Sequence, residues 1–244
     1  MNHRVIATAV VAALAGSATA AETALSISFA AGNTTQSIDI GFDQLIQTED
    51  GYMFDSNAFT GGAGWLTSDE MGETFGVESL TMSIQTDATR SGGAQTVTLD
   101  FSFAAGFMNS SFTVNASPLV FSPISSVVGV ASAALTVQDR FNDGASLTPN
   151  SGGMYSAIYN GSNTFADLFP GGLATSGGAS FNDVTNSGAY APVAPSVSEI
   201  SAKWDFTISA FDGVTGTSVF TVVPTPASAA LLGLGGLVAT RRRR

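Results

Sequence analysis

Apolar and polar residues alternate along most of this chain, and no cysteine is present to staple anything together. A period of two is the signature of a strand with one face buried. Val97, Leu99, Phe101 and Phe103 alternate with Thr98, Asp100 and Ser102. The same pattern recurs at Leu25/Ile27/Phe29, Ile38/Ile40/Phe42, Leu80/Met82/Ile84, Phe112/Val114, Ala133/Leu135/Val137 and Trp204/Phe206/Ile208. A final run is expected to bury Val219, Thr221 and Val223, after a turn over 211–216. Without disulfides, packing of these faces must carry the fold unaided.

Clusters of Gly, Asn, Ser and Asp punctuate the runs, as at Gly61-Gly62-Ala63-Gly64, Ser91-Gly92-Gly93, Asn142-Asp143-Gly144 and Ser176-Gly177-Gly178. Residues that tolerate positive φ mark turns. Many one-faced strands between such turns predict an all-β, antiparallel sandwich or jelly-roll-like body with Gly-rich loops. Two short helices are expected as well. Thr67 and Glu70 have capping-box spacing, and Ser162–Phe169 has room for a turn or two before Pro170. Segment 141–195 reads either as a long insertion or as weak strands with decorated loops.

The first residues are of a different kind. Met1–Arg4 is short and basic, Val5–Gly16 is apolar, and Ala18-Thr19-Ala20 offers small residues at Ala18 and Ala20 for cleavage. A helix over Val5–Gly16 spans only about 18 Å, well short of a hydrocarbon core of roughly 30 Å. Residues 1–21 are therefore expected to be a signal peptide, leaving a body over 22–221.

That body holds all 19 acidic residues of the chain, against Arg90, Arg140 and Lys203. So acidic a surface repels nucleic acid and favours cations and solubility. The only histidine, His3, lies in the signal segment. A Ser-His-Asp or Cys-His nucleophile cannot be assembled from what is left, nor can a histidine-ligated zinc, copper or iron site. No cofactor is expected except calcium, which wants oxygen ligands. Asp139-Arg140-Phe141-Asn142-Asp143-Gly144 has the spacing of half a calcium loop, making Asp139, Asn142 and Asp143 the candidate ligands. Phe141 stands where an oxygen would be wanted, and the simpler reading is a plain Asn-Asp-Gly turn. Trp65, Tyr52, Tyr155, Tyr159 and Tyr190 lie in or near loops and offer material for a carbohydrate-binding face.

The other end has three parts. Pro224-Thr225-Pro226 interrupts regular structure, Ala227–Thr240 is almost wholly apolar, and Arg241–Arg244 closes the chain. The apolar stretch spans about 21 Å as a helix, or about 28 Å counted from Val222. Terminal arginines hold their end on the cytoplasmic side. The arrangement resembles the PEP-CTERM sorting signal of Gram-negative bacteria, with Pro224 and Pro226 as the motif prolines, Ala227–Thr240 as the hydrophobic helix and Arg241, Arg242, Arg243 and Arg244 as the basic end. Thr225 stands where that family has Glu. The resemblance covers 222–244 and implies transient anchoring in the inner membrane, processing by an exosortase-type sorting protease, and delivery to the cell surface or extracellular polysaccharide. It is silent on the body. The expected function is a non-enzymatic surface or matrix protein with a structural or adhesive body; the alternatives are a carbohydrate-binding module, calcium-assisted, and a carboxylate-dependent glycan hydrolase.

Overall fold

A computed structural model of the chain describes residues 23–49, 51–56, 76–86, 93–178 and 180–225. In chain order the strands are β1 (Thr23–Ala31), β2 (Thr34–Gly41), β3 (Ile46–Thr48), β4 (Gly51–Asp55), β5 (Gly76–Thr86), β6 (Gln95–Ala104), β7 (Ser110–Ser125) and β8 (Val127–Gln138). They continue as β9 (Ala145–Pro149), β10 (Tyr155–Tyr159), β11 (Asn163–Leu168), β12 (Leu173–Thr175), β13 (Ser180–Asn186), β14 (Ala191–Pro192), β15 (Ser196–Ile208) and β16 (Gly213–Pro224). Among the described residues the one helical element is a single 3-10 turn at Phe42–Gln44.

Two antiparallel sheets pack as a sandwich. The first runs β11-β10-β15-β7-β1-β2, with β9 and β12 beside β15; the second runs β13-β8-β16-β6-β5-β4-β3, with β14 beside β8. Burial alternates residue by residue along β6 and β8, as a sheet with one dry face requires. The dry faces meet in aromatic contacts that cross the sandwich. Phe101 of β6 lies 5.2 Å from Trp204 and 5.5 Å from Phe206 of β15, and Phe103 stacks on Phe112 of β7 at 4.9 Å. Each such ring buries apolar area worth roughly 1.5–3 kcal/mol, and well-set pairs add about 0.5–1.5 kcal/mol. Trp204 also donates its Nε1–H to Ser218 Oγ at 2.9 Å, so the central strands of both sheets share a hydrogen bond.

Two expectations are corrected. Residues 163–168 are a strand, not a helix: Asn160 and Gly161 both take positive φ and fold β11 back along β10, so that Phe165 stacks on Phe220 at 5.4 Å. The partner strand and the half-buried ring, packed against the core, outweigh the local helical option. Along β16 the inward face is Ser218, Phe220 and Val222, while Val219, Thr221 and Val223 are only partly covered. The expected face is thus one residue out of register, because β-branched residues line both faces of this strand. Its start also differs: the turn spans 209–212, and Gly213–Gly216 belong to the strand. Segment 141–195 carries β9 to β14, the second of its two readings. Thr67 and Glu70 lie outside the described residues.

The connections give the sandwich two distinct ends. β8 and β16 pair from Gln138↔Gly213 to Val127↔Pro224, and β7 and β15 from Ser110↔Ile208 to Ser125↔Ser196. Ser126 alone joins β7 to β8 at one end, while the β15–β16 turn lies at the other. Along β16 these poles are about 37 Å apart at the usual rise per residue.

Candidate functional site

The pole that holds the β15–β16 turn also gathers the chemistry. Asp139 follows β8 directly, and its carboxylate organises the turn into β9. Oδ1 accepts the Asp143 N–H at 3.2 Å, and Oδ2 accepts the N–H groups of Gly144 at 2.9 Å and Gly178 at 2.7 Å. Such a turn needs left-handed backbone, and Asn142 (φ 63°) and Gly144 (φ 96°) supply it. The Gly178 N–H is the chief reason the Asp139 carboxyl is held below its ordinary pKa; desolvation opposes it, and the N–H groups of Gly144, Asn142 and Asp143 reinforce it.

Asp212 reaches the same place from the next strand over. It ends the β15–β16 turn, where Ser209 Oγ donates to its Oδ2 and Ala105 donates its N–H to the Asp212 carbonyl at 2.9 Å. The residue is wholly buried, and its Oδ1 accepts no hydrogen bond. Burial pushes its carboxyl pKa up. The Ser209 hydroxyl and the nearby Arg140 amide oppose that shift, while the charges of Asp139 and Asp143 add to it. One carboxylate oxygen from each of Asp139, Asp143 and Asp212 lies within 4.8 Å of the others. Asp143 is exposed, and the Arg140 guanidinium lies over Gly213, where an added Cβ would meet Nε at 2.6 Å.

Beside the carboxylates is an aromatic patch. Phe211 sits between Phe107 and Phe141, each with its ring centroid 5.1 Å away. Phe107 is 60% and Phe141 67% exposed, and Met108 adds to the patch at 39%. Phe211 has φ 65°, an uncommon conformation for a bulky residue, held by its N–H on the Gly106 carbonyl at 2.7 Å. Ala210 donates its N–H to Asn109 Oδ1 at 3.0 Å, so the β6–β7 and β15–β16 loops brace each other.

Of the ligands expected from sequence, Asp139 and Asp143 fall in this cluster, and Asn142 sets its Oδ1 against Gly178, where a Cβ would meet it at 2.8 Å. Asp212 was missed, because only the β8–β16 register brings it beside Asp139. The loop tyrosines do not assemble into a face. Tyr155 is buried in the core against Trp204, Tyr52 packs edge-on to Phe42, and Tyr190 stands 54% exposed elsewhere in the sequence; Trp65 lies outside the described residues. A shallow depression of about 250 Å³ on the outer face of the second sheet is lined by Ala134, Thr136, Val184, Thr215, Gly216 and Thr217, with no carboxylate among them.

At the opposite pole β16 runs on through Pro224, beyond the expected limit of the body at 221, and pairs it with Val127. Thr225 then donates its N–H and its Oγ1 to the Ser126 carbonyl, both at 2.8 Å. Pro226, Arg241–Arg244, Ala18 and Ala20 lie outside the described residues.

No protein-family model matches the chain, and no curated protein matches it. Among solved structures it is similar to the infectious bursal disease virus Gt strain (8% identity, TM-score 0.31, covering 83% of this chain and 56% of that one) and Gx strain (10%, 0.28, 82% and 60%). A third similarity is to the enzymatically active domain of bacteriophage CBA120 tailspike protein 4 (13%, 0.22, 58% and 19%). The chain thus spans little more than half the length of the first two, and at these scores the likeness says nothing of what it binds.

Proposed function

We propose that the chain is an exported cell-surface or extracellular-matrix protein, delivered through its C-terminal tail by an exosortase-type protease, with a sandwich body that serves a structural or adhesive role. One observation carries this reading: the polarity of the body. β16 leads into the tail at one pole, and the carboxylates and exposed phenylalanines crowd the other. β1 likewise begins away from the carboxylate pole, since its last residue, Ala31, is the one that pairs with Ser110. A body held by its tail in a membrane or polymer would therefore present its loop pole outward. Intact mass of the protein released to the cell surface tests the sorting step. Loss of Arg241–Arg244 is expected, and their retention in the released protein refutes it.

A carbohydrate-binding role, calcium-assisted, is the second reading. It is favoured by Phe107 and Phe141, which stand exposed beside the acidic cluster where they could stack on a sugar ring. A glycan array probed with and without calcium separates the two: a selective ligand would replace the structural role. Hydrolysis is the least suited. A retaining glycosidase sets its two carboxyl groups about 5–5.5 Å apart across a cleft, and an inverting one about 6.5–9.5 Å. The tighter crowding of Asp139, Asp143 and Asp212 suits a cation better.

A further inference from the structure

We infer that Asp139, Asp143 and Asp212 form a binding site for a single calcium ion that ties the β8–β9 turn to the β15–β16 turn. Calcium binds oxygens at about 2.3–2.6 Å, so one ion can bridge carboxylate oxygens up to about 5 Å apart. The three donors meet that limit, each lying within 4.8 Å of the others. Proximity alone would not make a site, since acidic groups crowd elsewhere on acidic proteins. Asp212 supplies the further observation. It is fully buried, one of its oxygens lies within 4.8 Å of those of Asp139 and Asp143, and its Oδ1 has neither a hydrogen bond nor water access. A buried carboxylate oxygen without a partner is costly, and native structures rarely tolerate one unless something binds there.

The other two donors have complementary roles. Asp139 is fixed by three backbone N–H groups, two on Oδ2 and one on Oδ1, which keep it ionised and oriented while leaving a lone pair on Oδ1 free. Asp143 is exposed and gives the ion its way in, with water able to fill further coordination positions on that side. Arg140, over Gly213 beside Asp212, brings one positive charge to a cluster of three carboxylates. The donor set is oxygen alone, which selects a hard cation over zinc or copper. An ion here would lock the two turns that carry Phe141 and Phe211, and so would set the shape of the aromatic patch. The inference stands whether or not the tail is processed.

Calorimetric titration of the full chain with CaCl2, after stripping with chelator and in mild detergent, reads the site directly. One saturable equivalent is expected. Asp143→Asn and Asp212→Asn should each weaken it at least tenfold, and MgCl2 should bind at least tenfold more weakly than CaCl2. Asp143 is exposed, so its variant keeps the fold; an unchanged circular-dichroism melt in chelator verifies this. Absence of saturable binding, or variants that bind as the parent does, overturns the site. Equal affinity for magnesium overturns the choice of ion.

Discussion

Gly216 stands in the middle of β16 with its open side towards the core, and adding one methyl there should unsettle the whole sandwich. A Cβ at this position would fall 2.3 Å from Phe101 Cζ, 2.6 Å from Cε1 and 3.0 Å from Leu135 Cδ2. A flexible side chain would swing aside, but the Phe101 ring is held on three sides. It stacks on Phe103 at 4.6 Å and on Phe206 at 5.5 Å, and meets Trp204 edge-on at 5.2 Å. Overpacking of a filled core costs about 1–3 kcal/mol. The reduced freedom of alanine in the unfolded chain returns about 0.4–1 kcal/mol. Gly216→Ala should therefore destabilise by about 1–2 kcal/mol, lowering the melting temperature of a body this size by about 2–8 °C. Phe101→Leu opens the space, so in the double variant the two losses should fall short of their sum by about 1 kcal/mol. Gly213→Ala is the control: the nearest atoms to its Cβ belong to the exposed Arg140 guanidinium, at the end of a long side chain rather than in the packed core, and the change should stay within about 0.5 kcal/mol. Thermal and urea melts followed by circular dichroism measure all four. A Gly216→Ala variant as stable as the parent, or strict additivity with Phe101→Leu, would refute the argument.

Acid should weaken the fold through Asp205. Burial works to raise its carboxyl pKa, but the Lys203 ammonium at 2.8 Å and hydrogen bonds from Asn150 and Ser151 outweigh that and hold it below the ordinary range. A depressed carboxyl contributes stability above its unfolded pKa of about 3.9, and the contribution is lost as pH falls through the folded value. Asp205→Asn should flatten the melting temperature against pH below about pH 4, and an unchanged slope would count against it. Alkali acts through Tyr155, whose phenol is pushed far above its ordinary range by burial, with the Ser218 hydroxyl opposing. The folded chain excludes its tyrosinate, so stability falls as pH rises above about 10, and in an ultraviolet titration this phenol should ionise only as the chain unfolds. Its ionisation in the folded state would contradict the burial. Removing the indole hydrogen bond by Ser218→Ala should cost about 1–3 kcal/mol in a urea melt, because Trp204 Nε1–H would be left buried without an acceptor.

Much of the sandwich is legible along the chain because its strands keep one face dry. Val97, Leu99, Phe101 and Phe103 announce β6 by period alone, and all four are buried. The pattern fails where both faces of a strand carry β-branched residues, as in β16, for there Phe220 and Val222 are told from Val219 and Thr221 only by what packs on them. Local signals also compete. Pro170 suggested a helix stop, while Asn160-Gly161, a hairpin dipeptide, held the better clue to β11. The candidate site divides in the same way. Asp139, Asn142 and Asp143 share one turn and can be read together. Asp212 joins them through strand pairing, and Phe107, Phe141 and Phe211 through three separate loops, so neither grouping leaves a trace in local spacing.

The place of β16 has a consequence for how such a chain could reach its folded state. It is the last described strand, yet it sits in the interior of its sheet, flanked by β8 along one edge and β6 along the other. Until residues 213–224 arrive, those two neighbours have no ladder between them, and Trp204 has no Ser218 to donate to. Closure is therefore a late, non-local event, slow in the manner of folds whose contacts are distant in sequence. For a chain emerging N-terminus first, the keystone is the final piece delivered, and any tail that follows is still nearest the point of exit when the sheet locks.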